Sequence, residues 1–394
     1  MPIVRLMGHR YTVLGAGRQG AALAYDLAKN GAAEQVRIVD SDERLARRAV
    51  ARLRKLLPRS KCRLEAARCD VVRRAEVRTA LADAEVALSA VPYRFNAQLA
   101  AWSIESGVSF LDLGGNTAVT REELALHARA RKAGVSIVPD CGLAPGLGNH
   151  LAAHGIASMD RARHVHVRCG GLPEQPVGPL GYKLVFNFRG LWNEYRGEAE
   201  FLRDGKLVSV PTLTELESFT SSELGPLEAC VTSGGTSTCP QTWKAVLETF
   251  DYKTIRYPGH WAQIRTLFEL GFMDEHLAAR DGTALEPLRL TQELFEQRLA
   301  FPDVRDVVLL RVSVRGTHAG RPLELQYDLL DRHDPKTGFT AMERATAFPA
   351  ALVAHLQARR LVAPGARPLE VSVPALRYFE ELAQHDIRVH LSVR

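Results

Sequence analysis

The first third of the chain alternates short apolar runs with stretches of helical periodicity. Apolar and β-branched runs predict buried strands at 11–14, 36–39, 62–69, 86–90, 109–112 and 135–138. The stretches between them predict helices at 21–29, 41–57, 76–81, 97–106 and 121–133. Repeated strand–helix alternation is typical of a parallel sheet covered by helices on both faces. We therefore expect a doubly wound α/β domain over residues 1–150.

The pattern changes after Gly155. Strand-like runs occur at 165–169, 182–188, 201–203, 207–210, 307–314 and 323–331, and a helix is predicted at 261–270. The dipeptide Asp204-Gly205 between two of these runs is a strong hairpin signal. These features predict a mixed, largely antiparallel α+β domain over residues 151–337. A long apolar helical pattern at 341–360 follows, and we expect residues 338–394 to return to the first domain.

A glycine-rich loop follows the first predicted strand. Gly15 permits a tight turn, Gly17 allows close approach of a pyrophosphate, and Gly20 allows the next helix to pack on the strand. The helix N-terminus offers backbone N–H groups to the phosphates, so Arg18 and Gln19 are further contact candidates. The alternative is a glycine-rich turn that has lost its cofactor.

Asp40 ends the second predicted strand, twenty residues after Gly20, where an acid binds the adenosine ribose. A carboxylate there accepts from a free 2′-hydroxyl and repels a 2′-phosphate, so the expected cofactor is NAD. Arg44 is the nearby residue that would favour NADP. Ligands of parallel sheets bind beyond the carboxyl ends of the strands. Other strand ends therefore supply the remaining cofactor-contact candidates, which are Asp70, Ala90, Val91 and Gly114.

Composition and charge exclude several classes of protein. The 51 basic and 45 acidic residues give a net charge of +6, and arginines at helical spacing in 44–54 are typical of a solvated helix face. We expect no nucleic-acid partner. The six cysteines and the histidines lack zinc-site spacing, so no metal is expected. Without a signal-peptide pattern or an apolar run of roughly 18 residues, we expect a cytoplasmic protein with no membrane contact.

Ordered motifs along nearly the whole chain, from about Tyr11 to about Leu361, resemble a known family. Besides the glycine loop they are DLGGN at 112–116, DCGLAPG at 140–146, GGLP at 170–173, PLGYK at 179–183, TSGGTST at 232–238 and YKTIRYPGHW at 252–261. The set resembles the saccharopine dehydrogenase (glutamate-forming) superfamily. Within it, the chain is most similar to the NAD-dependent lysine 6-dehydrogenases.

This resemblance implies a discontinuous Rossmann-type domain with an inserted catalytic sheet domain that carries the dimer contacts. We accordingly expect a homodimer or higher homo-oligomer. Saccharopine enzymes typically have an aspartate where this chain has Ala144, and that departure favours the lysine branch. Residues 278–290 are poorly matched to the family pattern.

The expected reaction is NAD-dependent oxidation of the side-chain amine of L-lysine, or of a close analogue. It gives 2-amino-6-oxohexanoate, which cyclises to the piperideine carboxylate, and ammonia. Hydride removal beside nitrogen requires a neutral amine, so the site needs a general base. His260 has a suitable pKa range, and burial can lower the pKa of Lys183. The alternatives are a structural histidine in a turn and a surface lysine on a strand.

The remaining candidates would position the substrate. Asp140 and Cys141 follow a strand end, so they are expected to face the cofactor crevice; Asp140 is a further catalytic candidate, whereas Cys141 could simply be packed. Asn116 could bind substrate or cap a helix. Arg256 could clamp the substrate carboxylate or form an interior salt bridge. Thr236 lies in a loop suited to close approach of a ligand, or in a plain flexible turn.

Two other functions remain open from the sequence. One is a saccharopine or carboxynorspermidine-type dehydrogenase, which joins an aldehyde and an amino acid reductively. The other is a regulator that binds NAD without turnover. An intact glycine loop and a second domain with several candidate catalytic residues favour an enzyme, whose expected partner is an amino-acid substrate.

Overall fold

The computed structural model describes residues 8–394, which form two compact units. The first comprises the described residues up to Met159 together with Glu343–Val389. The second comprises Asp160–Met342 together with His390–Arg394. The chain therefore leaves the first unit once, builds the second, and returns.

Seven strands form the sheet of the first unit, and the pairings between them are parallel. The strands are β1 (His9–Leu14), β2 (Ala33–Asp40), β3 (Arg63–Arg68), β4 (Val86–Ser89), β5 (Ser109–Asp112), β6 (Ser136–Val138) and β17 (Gly365–Ala366). Their order is β17-β6-β5-β4-β1-β2-β3. From β1 the sheet continues through β2 and β3 on one side, and from β4 through β5, β6 and β17 on the other. The direction in which strands are added therefore reverses between β1 and β4. This confirms the doubly wound α/β prediction.

Helices of the first unit connect these strands. They are α1 (Arg18–Asn30), α2 (Glu43–Leu56), α3 (Arg74–Leu81), α4 (Asn96–Glu105), α5 (Thr117–Leu124), α6 (His127–Ala133), α7 (Leu147–Ala157), α12 (Ala341–Ala358), α13 (Leu369–Ser372) and α14 (Ala375–Leu382). The single helix predicted at 121–133 is wrong: α5 and α6 are separate because Leu126 leaves helical geometry and packs against the core. In α12, Gln357 donates to the carbonyls of Phe110 and Ser136, which joins this late helix to the first sheet.

A nine-stranded mixed sheet forms the second unit. The strands are β7 (Arg161–Pro173), β8 (Glu198–Arg203), β9 (Lys206–Pro211), β10 (Glu217–Ser221), β11 (Gly225–Val231), β12 (Thr249–Arg256), β15 (Asp306–His318), β16 (Arg321–Arg332) and β18 (His390–Val393). The main path runs β10-β11-β12-β7-β15-β16-β18, and the β8–β9 hairpin joins at β12. The pairing of β7 with β12 is parallel, whereas β15 pairs with both of its neighbours in the antiparallel sense. Asp204 and Gly205 both have positive φ, as the predicted hairpin turn requires.

Four helices and a separate two-stranded hairpin complete the second unit. They are α8 (Phe188–Tyr195), α9 (Cys239–Trp243), α10 (His260–Glu269) and α11 (Pro287–Arg298), with the hairpin formed by β13 (Leu277–Ala278) and β14 (Ala284–Leu285). The strand predicted at 182–188 is wrong. Tyr182, Val185 and Phe188 are buried at intervals of three residues, so this segment packs as an irregular turn into α8 rather than as an alternating strand.

The C-terminal tail differs from the sequence expectation in one respect. Most of it lies in the first unit, but β18 pairs with β16 and so belongs to the second. Backbone hydrogen bonds in both directions between Glu324 and Arg394 continue this pairing. The partner of such an edge strand lies far away in the sequence, so the residues of the strand itself give little indication that it will pair.

Candidate active site

The glycine loop has the geometry that a dinucleotide site requires. Gly15 has φ +102°, and a Cβ on Gly20 would lie 1.8 Å from the Gly15 carbonyl oxygen. Gly17 instead faces open space, because a Cβ added there would meet no atom within 4 Å, and it precedes α1 without any side-chain cap. The uncapped N–H groups of α1 and the open side of Gly17 fit a pyrophosphate.

Asp40 lies at the end of β2 and is tied to that loop. Its Oδ2 accepts from the backbone N–H of Ala16 at 2.8 Å, and its Oδ1 accepts from the N–H of Asp42 at 3.0 Å. The Asp42 carboxylate in turn accepts from Nε and from Nη2 of Arg44, each at 3.0 Å. The arginine that would favour a 2′-phosphate is therefore paired with a neighbouring carboxylate.

Four of the other cofactor candidates lie in the glycine loop, at the start of α1 or directly against Gly15. Ala90 and Val91 lie directly against Gly15, since a Cβ there would come within 2.8 Å and 3.1 Å of them. Arg18 extends from the loop to Glu343 of α12 with an Nε–Oε1 distance of 2.6 Å. Gln19, the second residue of α1, is partly buried.

The remaining two cofactor candidates, Asp70 and Gly114, lie in other turns of the first unit. The Asp70 carboxylate accepts from the N–H of Val72 at 3.2 Å and so shapes the turn after β3. Gly114 has φ +80°, and its N–H donates to Asp112 at 2.6 Å. Gly114 packs against Asp140 rather than against the glycine loop.

Asp140, which follows β6, belongs to a group of three buried carboxyls with Asp112 at the end of β5 and Glu123 in α5. Its Oδ2 accepts from the Thr120 hydroxyl at 3.0 Å, and its backbone has φ +59°. Burial raises the pKa of Asp112, and burial together with Asp112 raises the pKa of Glu123 well above its usual range. Sequence reasoning missed Asp112 and Glu123, although Asp112 ends a strand in a position comparable to Asp140.

Asn116 and Cys141 make the contacts expected if they were structural residues, a helix cap and a packed thiol. The Asn116 side chain accepts from the N–H groups of Ala118 and Val119 at 3.0 and 3.3 Å, which caps α5. The Cys141 thiol donates to the carbonyl of Val138 at 3.3 Å, and burial raises its pKa well above the usual value. The thiol therefore stays protonated and packed.

Both bases predicted from the sequence make hydrogen bonds to other groups of the second unit. The Lys183 ammonium donates to the carbonyls of Phe301, at 3.1 Å, and of Val304. His260 is buried, with Nδ1 3.0 Å from the Leu180 carbonyl and Nε2 3.0 Å from the Tyr195 hydroxyl. Burial and the Arg256 charge lower the pKa of His260 to about 3, so the ring is neutral.

Arg256 lies in the interior beside His260. Its Nε donates to the Tyr195 hydroxyl at 2.8 Å, its Nη1 donates to the Ile255 carbonyl at 2.9 Å, and its Nη2 is 3.8 Å from Glu194 Oε2. The guanidinium also lies 4.8 Å from the ring centre of Tyr182. With 2% of the side chain exposed, it fits the interior salt-bridge alternative.

Thr236 is buried in a loop that follows β11. Gly234 and Ser237 both have positive φ, so this loop turns sharply twice. Sequence reasoning missed Glu194 and Thr254, whose side chains meet with an Oγ1–Oε1 distance of 2.5 Å. An acidic residue beside a tyrosine at the C-terminal end of a short amphipathic helix was the available signal.

Metal ligands and membrane-spanning helices are two further features considered for residues 8–394. Within residues 8–394, no group of three or more His, Cys, Asp or Glu side chains is arranged to hold a metal ion. Over that range, no helix combines the length and apolarity that a membrane span needs.

Two family models together cover most of the chain. The saccharopine dehydrogenase NADP binding domain matches residues 11–138, and the saccharopine dehydrogenase C-terminal domain matches residues 142–387. The chain belongs to the saccharopine dehydrogenase family. The family resemblance seen in the sequence is thus confirmed, while the narrower likeness to lysine 6-dehydrogenases remains a prediction.

Individual relatives of this saccharopine dehydrogenase family member are distant. Saccharopine dehydrogenase (NADP(+), L-glutamate-forming) from Schizosaccharomyces pombe is 28% identical over 216 residues, which cover 52% of this chain and 47% of the relative. The Saccharomyces cerevisiae enzyme of the same name is 31% identical over 136 residues, covering 33% and 30%. The chain therefore matches less than half the length of these curated relatives.

A solved structure shares the fold. Apo saccharopine dehydrogenase (L-Glu forming) from Saccharomyces cerevisiae has a TM-score of 0.77 at 19% identity, covering 98% of this chain and 100% of that chain. The likeness extends over both units.

Proposed function

We propose that this protein is an NAD-dependent dehydrogenase that oxidises the side-chain amine of L-lysine. The observation that carries the proposal is the Asp40 carboxylate fixed on an open glycine loop. Bound NAD supplies the hydride acceptor. The neutral amine loses a hydride from its ε-carbon, the resulting iminium adds water, and ammonia leaves. The aldehyde then closes on its own α-amine.

NAD is proposed although the relatives named above are NADP(+) enzymes by name. A ribose with free hydroxyls donates to the Asp40 carboxylate, whereas a 2′-phosphate meets its negative charge. The bidentate pair of Arg44 with Asp42 supports the same choice, because that guanidinium already faces a carboxylate.

Lysine is proposed over saccharopine because Ala144 replaces an acid and Arg256 is committed to the interior. Saccharopine carries a second, glutamate-derived set of carboxylates that needs further cations. The names of the matched relatives favour saccharopine as the second candidate substrate.

The substrate amine is proposed to reach the site already neutral, since both predicted bases hold other partners. Free lysine loses its side-chain proton near a pKa of about 10.4. Activity should therefore rise on the alkaline side of neutrality. We also propose a cytoplasmic homo-oligomer, whose assembly is tested by sedimentation of the purified protein.

A substrate screen tests the proposal. Nicotinamide reduction is followed with NAD and with NADP on lysine, ornithine, arginine, saccharopine and carboxynorspermidine. The proposal expects turnover with NAD and lysine. Turnover with saccharopine alone would replace it with the second candidate, and NAD binding without turnover on any of them would favour a regulator.

A further inference from the structure

A polar cluster lies within the apolar core of the second unit. The surrounding core includes Leu191 and Ile264. The cluster is formed by side chains from α8, β12, α10 and the loop after β11, and these are Glu194, Tyr195, Thr232, Thr254, Arg256 and His260. Polar groups gathered in an apolar surround are what an amino-acid site requires. His260 is neutral, so the charges within this cluster are those of Arg256 and Glu194.

Glu194 is the member of this cluster that reaches solvent. Its side chain is 19% exposed, whereas that of Arg256 is 2% exposed. The two charges lie 3.8 Å apart, which is too long for a hydrogen bond. Oε1 accepts from the Thr254 hydroxyl, but Oε2 accepts no hydrogen bond from any described residue. One carboxylate oxygen is therefore available to a donor from outside.

The loop beside Glu194 leaves space. Ser233 fastens it to the end of α8, since its N–H donates to the Glu194 carbonyl at 2.8 Å and its hydroxyl donates to the Asn193 carbonyl at 2.7 Å. The next residue, Gly234, has φ +86°, and a Cβ added to it would meet no atom within 4 Å. Gly234 therefore presents backbone and open space, and no side chain, on this side of the loop.

We propose that Glu194 binds the α-ammonium group of the amino-acid substrate, a step that rests on the proposed function. A partly buried carboxylate binds a cationic N–H donor more strongly than a neutral one. The ion pair also holds a proton on the amine that it takes, because an adjacent negative charge favours the charged form. The reacting ε-amine must be neutral, so the amine beside Glu194 is the α-amine. Thr254 and Arg256 act as positioning residues for the carboxylate.

The test compares substrates with and without the α-amine. Glu194→Gln should raise the KM for L-lysine at least tenfold, because a neutral amide cannot pair with the ammonium. The KM for 6-aminohexanoate, which lacks that amine, should stay the same, as should the KM for NAD. Glu215→Gln, in a more exposed ion pair with Arg203, is the matched control and should leave all three values unchanged. Equal changes for both substrates, or none for either, would overturn the assignment.

Binding without turnover provides a second readout. L-lysine should raise the Tm of the NADH-loaded wild-type protein but not of Glu194→Gln, while NADH alone should raise the Tm of both. That NADH response shows that the variant is folded. If the wild type oxidises lysine and the variant binds it normally, Glu194 is wrongly assigned and the proposed function stands. If lysine neither reacts with the wild type nor raises its Tm, both proposals fail.

Discussion

The carboxylate of Asp40 accepts a hydrogen bond from the backbone N–H of Ala16 at 2.8 Å. This contact joins the end of β2 to the glycine loop that follows β1, so the acid and the loop are fixed together before any ligand binds. Preorganisation of this kind lowers the entropic cost of ordering the site on binding.

Cofactor choice follows from this contact. The wild type should prefer NAD over NADP by more than about tenfold, on the scale of one charged contact. Asp40→Ala should narrow that ratio, because it removes both the ribose acceptor and the repulsion of the 2′-phosphate. The ratio of kcat/KM for the two cofactors measures the effect, with Glu43→Gln as a control on the neighbouring exposed carboxylate. Equal use of NADP by the unmodified protein would contradict this account.

Two glycines of the same loop should respond differently to alanine. Gly17→Ala should fold normally, since the position has φ −67° and open space around it, but should weaken NAD binding by blocking approach of the pyrophosphate. Gly20→Ala should unfold or lower the Tm sharply, because its Cβ would lie 1.8 Å from the Gly15 oxygen. Thermal melts and NAD titrations distinguish these outcomes. A Gly17→Ala variant that binds NAD like the wild type would place the phosphates elsewhere.

Glu123 should make the first unit less stable in alkali. Its folded-state pKa is raised, so its contribution is favourable below the ordinary pKa and is lost as pH rises toward the folded value. Glu123→Gln keeps the shape of the protonated acid and removes this loss. As pH rises from 6 to 9, the free energy of unfolding of the variant should therefore gain on wild type by on the order of 1 kcal/mol, seen as a rising Tm difference. The exposed neighbour Glu122 provides the control as Glu122→Gln, and parallel Tm curves for Glu123→Gln and wild type would refute the assignment.

His150 should make the protein less stable in acid. Its ring is buried on α7 and lies edge-on to the ring of Tyr378, with 4.4 Å between the ring centres. Burial lowers the pKa of His150 to about 3. The folded state therefore resists protonation that the unfolded chain accepts near pH 6.5, so stability is lost as pH falls from about 6.5 toward 3. His150→Phe should flatten this part of the Tm curve, whereas His318→Phe, at an exposed position, should not. An unchanged acid slope in His150→Phe would show that other groups control it.

The sequence predicted the dinucleotide loop well because its determinants are local. Turn, helix start and acid lie within one strand–helix–strand segment, and Gly15, Gly17, Gly20 and Asp40 have the expected geometry. Most strands of the first unit were equally readable, since central strands such as β4 and β6 are buried and largely apolar. The two-residue strand β17 was not predicted.

The second unit was harder to predict because its contacts are distant along the chain. Lys183 is engaged by carbonyls more than a hundred residues away, and His260 by Tyr195 on another helix. No local pattern reports such partners, so both side chains were available as bases in sequence and are committed in the structure. Glu194 was missed for the same reason, because its role depends on Thr254 of β12.

The most direct test of the central claim is to follow a heavy-nitrogen label placed on either amine of L-lysine during NAD reduction. The account predicts labelled ammonia from the ε-labelled substrate only, in an amount equal to the nicotinamide reduced, with the α-label retained in the cyclic product. Labelled ammonia from the α-position, or nicotinamide reduction with no ammonia from either label, would contradict it.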